Sequence, residues 1–170
     1  TTCTVFRRKY PAQVVAYRQP PSERPRTASG HPPTLRDRKI LLPESGRPTG
    51  MYKQPANGPL ELGPEGFVGD QQADRRVHGG PDKAVHLYPA AHYARLAGRF
   101  PAAASQLVIG SMGENLSTAE LDERDVRLGD IWRLGTARLQ LCQPRNPCWK
   151  IDERFGCDGM AQFIAEQRIT

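Results

Sequence analysis

Residues 126–150 read VRLGDIWRLGTARLQLCQPRNPCWK. Three short apolar runs, 126–128, 130–134 and 137–142, are separated by breaks that contain glycine. Gly135 and Thr136 between the last two predict a tight hairpin. In the last run Ala137, Leu139 and Leu141 fall on one face and Arg138, Gln140 and Cys142 on the other, because successive strand side chains point to opposite sides. This half-buried strand delivers the chain into QPRNPCWK, residues 143–150, where Pro144 and Pro147 stiffen a loop and Cys148 sits between Arg145 and Lys150.

The texture outward from this hairpin is similar. Residues 59–62, 67–70, 84–88 and 107–109 read as short strands or bends, and the GPEG of 63–66 as a turn. Pro89 opens a helical pattern, AAHYARLAGRF, that Pro101 stops, and 149–155 and 159–167 are helical stretches. Residues 110–117 form a loop, after which Ser117 or Thr118 caps the turn containing Glu120 and Leu121. Many short strands with two or three inserted helices predict a mainly β, α+β fold. The expected form is a closed or nearly closed β-barrel with peripheral helices, not a parallel α/β sheet.

The 170 residues suit one domain with extensions, and 38% hydrophobic content with 16 Pro and 16 Gly implies a loop-rich or partly unfolded chain. Charge divides it. Residues 1–50 hold ten Lys/Arg against three Asp/Glu, and residues 51–170 hold fourteen against fifteen. The overall +6 therefore belongs to a basic, Pro/Arg-rich arm, residues 1–48, with a domain over 49–170. Within the arm, 18–36 is too polar to offset its ordering entropy and is expected to be disordered; the short apolar pieces 13–17 and 39–42 stay undecided. The arm is a solvated tail or a nucleic-acid or partner-binding segment, but a near-neutral domain makes nucleic acid a poor expectation. No signal peptide is evident, and no apolar run approaches the roughly 18 residues of a membrane span. A cytoplasmic, reducing setting with free thiols at Cys3, Cys142, Cys148 and Cys157 follows as the expectation.

Three loops concentrate reactive groups. In DRRVHGGPDK, residues 74–83, Gly79 and Gly80 let backbone N–H groups approach an anion, while Arg75, Arg76, His78 and Lys83 supply charge; an exposed Gly-Gly-Pro turn is the plain alternative. In GENLS, Gly113, Glu114 and Asn115 suit a ligand, or the Asn satisfies its own backbone. In QPRNPCWK, cations beside Cys148 favour the thiolate, the useful form of cysteine. Cys142 on its strand reads as a small hydrophobe. Cysteines 142, 148 and 157 lie six and nine apart, and no CxxC, HExxH or GxSxG is present, which argues against structural zinc and a serine hydrolase; a Cys148–His78 pair stays open.

Taken together, GFVGD (66–70), RRVHGGPDKAVHLYP (75–89), MGENL (112–116), LGDIWRLG (128–135) and QPRNPCWK resemble, in this order, the small stand-alone bacterial branch of the MOSC domain. The resemblance spans about residues 50–165. It implies a β-barrel with added helices and a pterin-based molybdenum cofactor. Cys148 would be the thiolate on molybdenum, a soft ligand for such a centre. His78, Gly79, Gly80, Lys83, Gly113, Arg145 and Lys150 would hold the cofactor's phosphate and pterin, and Glu114 and Asn115 would read the pterin edge or the substrate. The implied activity is reductive removal of oxygen from N-hydroxylated compounds, notably N-hydroxylated purine bases, with electrons from a separate flavoprotein donor and the enzyme acting as monomer or homodimer. The resemblance also carries a family-level association with pyridoxal phosphate, to which no residue of this chain is assigned. Relatives continue past the last helix with a further strand and a small helical region. The resemblance therefore implies a C-terminally truncated domain that retains its cofactor poorly, with the edge closed by the N-terminal arm or by another chain. A sulfur carrier holding a persulfide on Cys148 is the alternative reading, and a non-catalytic nucleic-acid binder acting through the arm is a third.

Overall fold

The computed structural model describes residues 32–35 and 40–169 in full, and the strands Thr4–Arg8 and Gln13–Val15 by their backbone pairing. Most of the stretch expected to be disordered, 18–36, lies outside the described residues.

The architecture is mixed α/β. A five-stranded sheet runs in the order Leu116–Thr118, Val85–Pro89, Thr4–Arg8, Ala137–Pro144, Ile131–Leu134. Gln13–Val15, Leu60–Gly63 and Gly66–Phe67 make a three-stranded sheet, and two strand pairs, Thr34–Leu35 with Gln54–Pro55 and Ile40–Leu41 with Pro48–Thr49, complete the set. Among the described residues no pairing joins these sheets into a ring, so the expected closed barrel is not formed by them. Most of these strands have only two to five residues, too few to carry a continuous staggered ladder round a barrel.

The decisive hairpin forms as its pattern requires. Leu134 pairs with Ala137 across the two-residue connection, and Trp132 with Leu139. Ala137, Leu139 and Leu141 are buried and Arg138 is exposed, the alternation of a strand with one face in the core. Each of the two buried leucines contributes roughly 1.5–3 kcal/mol. Two expected strands do not form. Residues 107–109 follow the 3-10 turns of Pro101–Gln106, and the Leu107 N–H donates to the carbonyls of Ala103 and Ala104 instead of to a neighbouring strand. Residues 126–128 lead into a turn at Gly129, whose N–H donates to Leu141. Conversely, Leu116–Thr118, read as loop, is a buried strand parallel to Val85–Pro89. The Thr118 hydroxyl donates to the Leu121 carbonyl, closing the turn beyond it.

Two apolar clusters result. The sheet cluster gathers Leu62, Phe67, Val85, Leu87, Leu116, Leu139 and Leu141. The helical cluster gathers Tyr88, Tyr93, Leu96, Met112, Phe155, Met160 and Ile164 around the helices Ala91–Arg99, Lys150–Phe155 and Met160–Gln167. Val85–Pro89 connects them: Val85 and Leu87 enter the first, while His86 and Tyr88 point the other way, Tyr88 reaching the second. Among the described residues no helix is long and apolar enough to cross a membrane.

Candidate functional site

A cavity of about 100 Å³ opens beside the helical cluster, which lends it Tyr88, Met112, Ile151 and Ile164. The alternation of Val85–Pro89 places His86 and Tyr88 on its floor. The loop after the long strand supplies Arg145, Pro147 and Cys148; Lys150 follows at the start of the next helix. The helix Arg75–His78 brings His78, the following 3-10 turn brings Lys83, and the segment between the two minor strand pairs brings Met51 and Lys53. Met112, Gly113 and Asn115 close the far side.

The structure thus gathers seven of the residues singled out by the sequence: His78, Lys83, Gly113, Asn115, Arg145, Cys148 and Lys150. Gly79, Gly80 and Glu114 take other places. The Gly79 N–H donates to the Arg75 carbonyl and ends the short helix, so it is not offered to an anion; a Cβ there would lie 2.5 Å from Gln72 Oε1. Gly80 has φ +92 and its carbonyl accepts the Lys83 N–H, which turns the chain toward the cavity. Glu114 is fully buried behind the wall. Its Oε1 accepts from the Tyr93 hydroxyl at 2.6 Å, the Gly110 N–H at 2.6 Å and the Ser117 hydroxyl at 3.1 Å. Burial raises its carboxyl pKa above the usual range against the pull of these donors, Tyr93 foremost. Glu114 therefore shapes the loop that carries Met112, Gly113 and Asn115. The Asn115 carboxamide is committed to the protein, accepting from the His86 N–H at 3.1 Å and donating to Asp70 at 2.8 Å and the Thr34 carbonyl at 3.2 Å.

Sequence reasoning missed Lys53, His86 and Tyr88. The last two carried a signal: they alternate with Val85 and Leu87 in a run already read as a strand, so one face had to hold both. Lys53 had none, since residues 51–54 show no periodicity. Its ammonium pairs with Asp70, both side chains being buried. Burial lowers the Lys53 pKa, and Asp70 opposes that shift.

Electrostatically the site is a cup of positive charge. Lys83 Nζ donates to the Val77 carbonyl at 2.6 Å and Lys150 Nζ to the Pro48 carbonyl at 2.8 Å, neutral partners that leave both charges uncompensated. The histidines register the field. His78 is lowered to about 4 by burial first and then by Arg145, Lys150 and Lys83. His86 is pushed well below its ordinary value by complete burial and then by Arg145. Both imidazoles are neutral at pH 7. Among the described residues Cys148 is the single thiol on the cavity; Cys142 and Cys157 lie off it, and none of the three is in a disulfide. Among the described residues no group of three or more His, Cys, Asp or Glu could hold a metal ion by itself.

Fold and site together define a domain that sets one thiol, Cys148, beside the cations Lys83, Arg145 and Lys150 on a single cavity. The chain belongs to the MOSC domain family, whose pattern matches residues 74–170. Protein YiiM of Escherichia coli K12 is 43% identical over 126 residues, covering 74% of this chain and 56% of that protein. YflK of Bacillus subtilis 168 is 45% identical over 122 residues, covering 72% and 54%. A Gibberella moniliformis protein named Reductase is 37% identical over 106 residues, covering 62% of this chain and 19% of that one. The crystal structure of Escherichia coli YiiM matches with a TM-score of 0.63 at 38% identity, over 71% of this chain and 55% of that chain. That of YiiM from Geobacillus stearothermophilus matches with a TM-score of 0.61 at 24% identity, over 94% and 64%, a likeness of fold. The chain spans about half the length of the curated relatives YiiM and YflK.

Proposed function

We propose that this protein is a molybdenum-cofactor-dependent reductase that removes oxygen from N-hydroxylated compounds such as N-hydroxylated purine bases. The observation that carries the reading is the meeting of the Cys148 thiol with Lys83, Arg145 and Lys150 on one cavity. The donor set fits the cofactor: one protein thiol, no protein cluster able to complete a metal's coordination among the described residues, and cations placed for a phosphate. When bound, the cofactor supplies a two-electron centre that accepts an oxygen atom.

The chain's own residues do the rest. Cys148 anchors the metal. Lys83, Arg145 and Lys150 hold the phosphate, and Lys83 and Lys150, whose hydrogen-bond partners are neutral carbonyls, gain a countercharge when an anion arrives. Tyr88, Met112, Ile151 and Ile164 offer an apolar surface on which a planar base displaces water. His78 and His86, neutral at pH 7, offer hydrogen bonds to the base edge without adding charge. Reduction of an N-hydroxyl group to the amine and water takes two electrons and two protons, and a separate flavoprotein is the donor in this reading.

The test is reduction of 6-hydroxylaminopurine by protein made in a cofactor-competent host, with a reduced viologen dye as electron source. Wild type forms adenine and Cys148→Ser does not. Equal rates for the two proteins contradict the reading. Metal-free protein carrying one extra sulfur on Cys148, and no reductase activity, supports the sulfur carrier instead.

A further inference from the structure

We infer that Arg154 is a positioning residue for the cavity: it clamps Tyr52 in a left-handed backbone conformation, and that conformation aims Met51 and Lys53 inward. The inference concerns the shape of the cavity and holds whatever the cavity binds.

Tyr52 has φ +69. Arg168 is the other non-glycine residue with positive φ among the described ones, and it sits at a helix C-terminus, where that geometry is ordinary. Tyr52 ends no helix; it lies between the strands Pro48–Thr49 and Gln54–Pro55. A bulky side chain holds such a conformation only where its surroundings over-determine it. Arg154 supplies that constraint. Its guanidinium carbon lies 3.7 Å from the centre of the Tyr52 ring, a close cation–π contact, and its Nη1 donates to Gln106 Oε1 at 2.7 Å. Gln106, at the end of a 3-10 helix whose Ala103 packs in the helical cluster, gives the guanidinium a second anchor.

The consequence falls on the flanking residues. Met51 and Lys53 are both buried and both line the cavity, whereas Tyr52 does not line it. An ordinary extended Tyr52 would turn the peptide that follows it and carry Lys53 away from Asp70 and from Gly110, whose carbonyl accepts the Lys53 N–H at 3.2 Å. Arg154 belongs to the helix that begins two residues after Cys148. It therefore fastens the thiol-bearing wall to the lysine-bearing wall, although it does not itself line the cavity.

Acylation of Lys53 by a succinimidyl ester, followed by mass spectrometry on the 170-residue chain, reads this directly. Lys53 in the wild type reacts slowly. Arg154→Ala raises its rate at least about tenfold, the size of a desolvated cation–π contact. Tyr52→Gly adopts the left-handed conformation without a clamp. Lys53 therefore stays protected in that variant and equally so in the double variant Tyr52→Gly/Arg154→Ala. A general packing role for Arg154 would not be rescued in this way. Arg154→Met keeps the stem and carries the same expectation where the alanine variant does not fold. Protection of Lys53 in Arg154→Ala overturns the inference. So does a double variant as reactive as Arg154→Ala, or unfolding of both Arg154 variants that Tyr52→Gly fails to restore.

Discussion

Lys53 and Asp70 show how one buried pair holds a site together. Both side chains are almost fully enclosed, and Asp70 also accepts from Asn115 at 2.8 Å. Removing the carboxylate leaves a buried ammonium without its countercharge, so Asp70→Asn is expected to destabilise the chain by about 3–5 kcal/mol in chemical denaturation. His78 gives a pH signature. The unfolded chain protonates it near the ordinary value of 6.5, the folded chain only near 4. Between those values the unfolded state binds more protons, so stability is full above about pH 6.5 and falls as the pH drops toward 4. His78→Gln is expected to flatten this part of a stability-versus-pH curve; an unchanged slope would show that burial and the neighbouring cations do not hold His78 neutral in the folded chain. At this scale the cationic and thiol loops were legible in the sequence because charge and reactivity are properties of single residues. Lys53 was not, because its inward direction depends on one unusual backbone angle at Tyr52.

Helix Met160–Gln167 starts without a side-chain cap from Gly159. Asp152 in the preceding helix takes that role across space: its Oδ2 accepts the Gly159 N–H at 3.0 Å and its Oδ1 the Ala161 N–H at 2.7 Å. Asp152→Ala is expected to cost about 1 kcal/mol, the usual loss of a helix N-cap. For a domain of this size that is a fall of about 2–4 °C in melting temperature, read by calorimetry. The elements legible in advance are those with local signals: the hairpin over Ile131–Leu134 and Ala137–Pro144 has period two and a two-residue connection, and Ala91–Arg99 has helical spacing bounded by prolines. Leu116–Thr118 escaped because all three residues are buried and show no alternation. Its identity as a strand comes from Val85–Pro89, about thirty residues earlier in sequence, and such non-local pairing leaves no local mark.

For the molecule as a whole, the central feature is the strand Thr4–Arg8, which pairs with Val85–Pro89 on one side and Ala137–Pro144 on the other. The charge pattern concealed this, because the flanking segment is basic and proline-rich while the strand itself is only five residues. Deleting residues 1–8 leaves two strands with unpaired edges. The expected outcome is aggregation on size-exclusion chromatography; a monodisperse deletion variant with unchanged melting would show that the sheet stands without its middle strand. The floor and one wall of the cavity hang on those two neighbours, through His86 and Tyr88 on one and the Cys148 loop on the other. The proposed bond between Cys148 and a molybdenum cofactor is open to metal analysis. Protein made with abundant molybdate in a host that assembles the cofactor should carry molybdenum and pterin together, and Cys148→Ser should lose both while remaining folded. Full molybdenum in the serine variant would contradict the account.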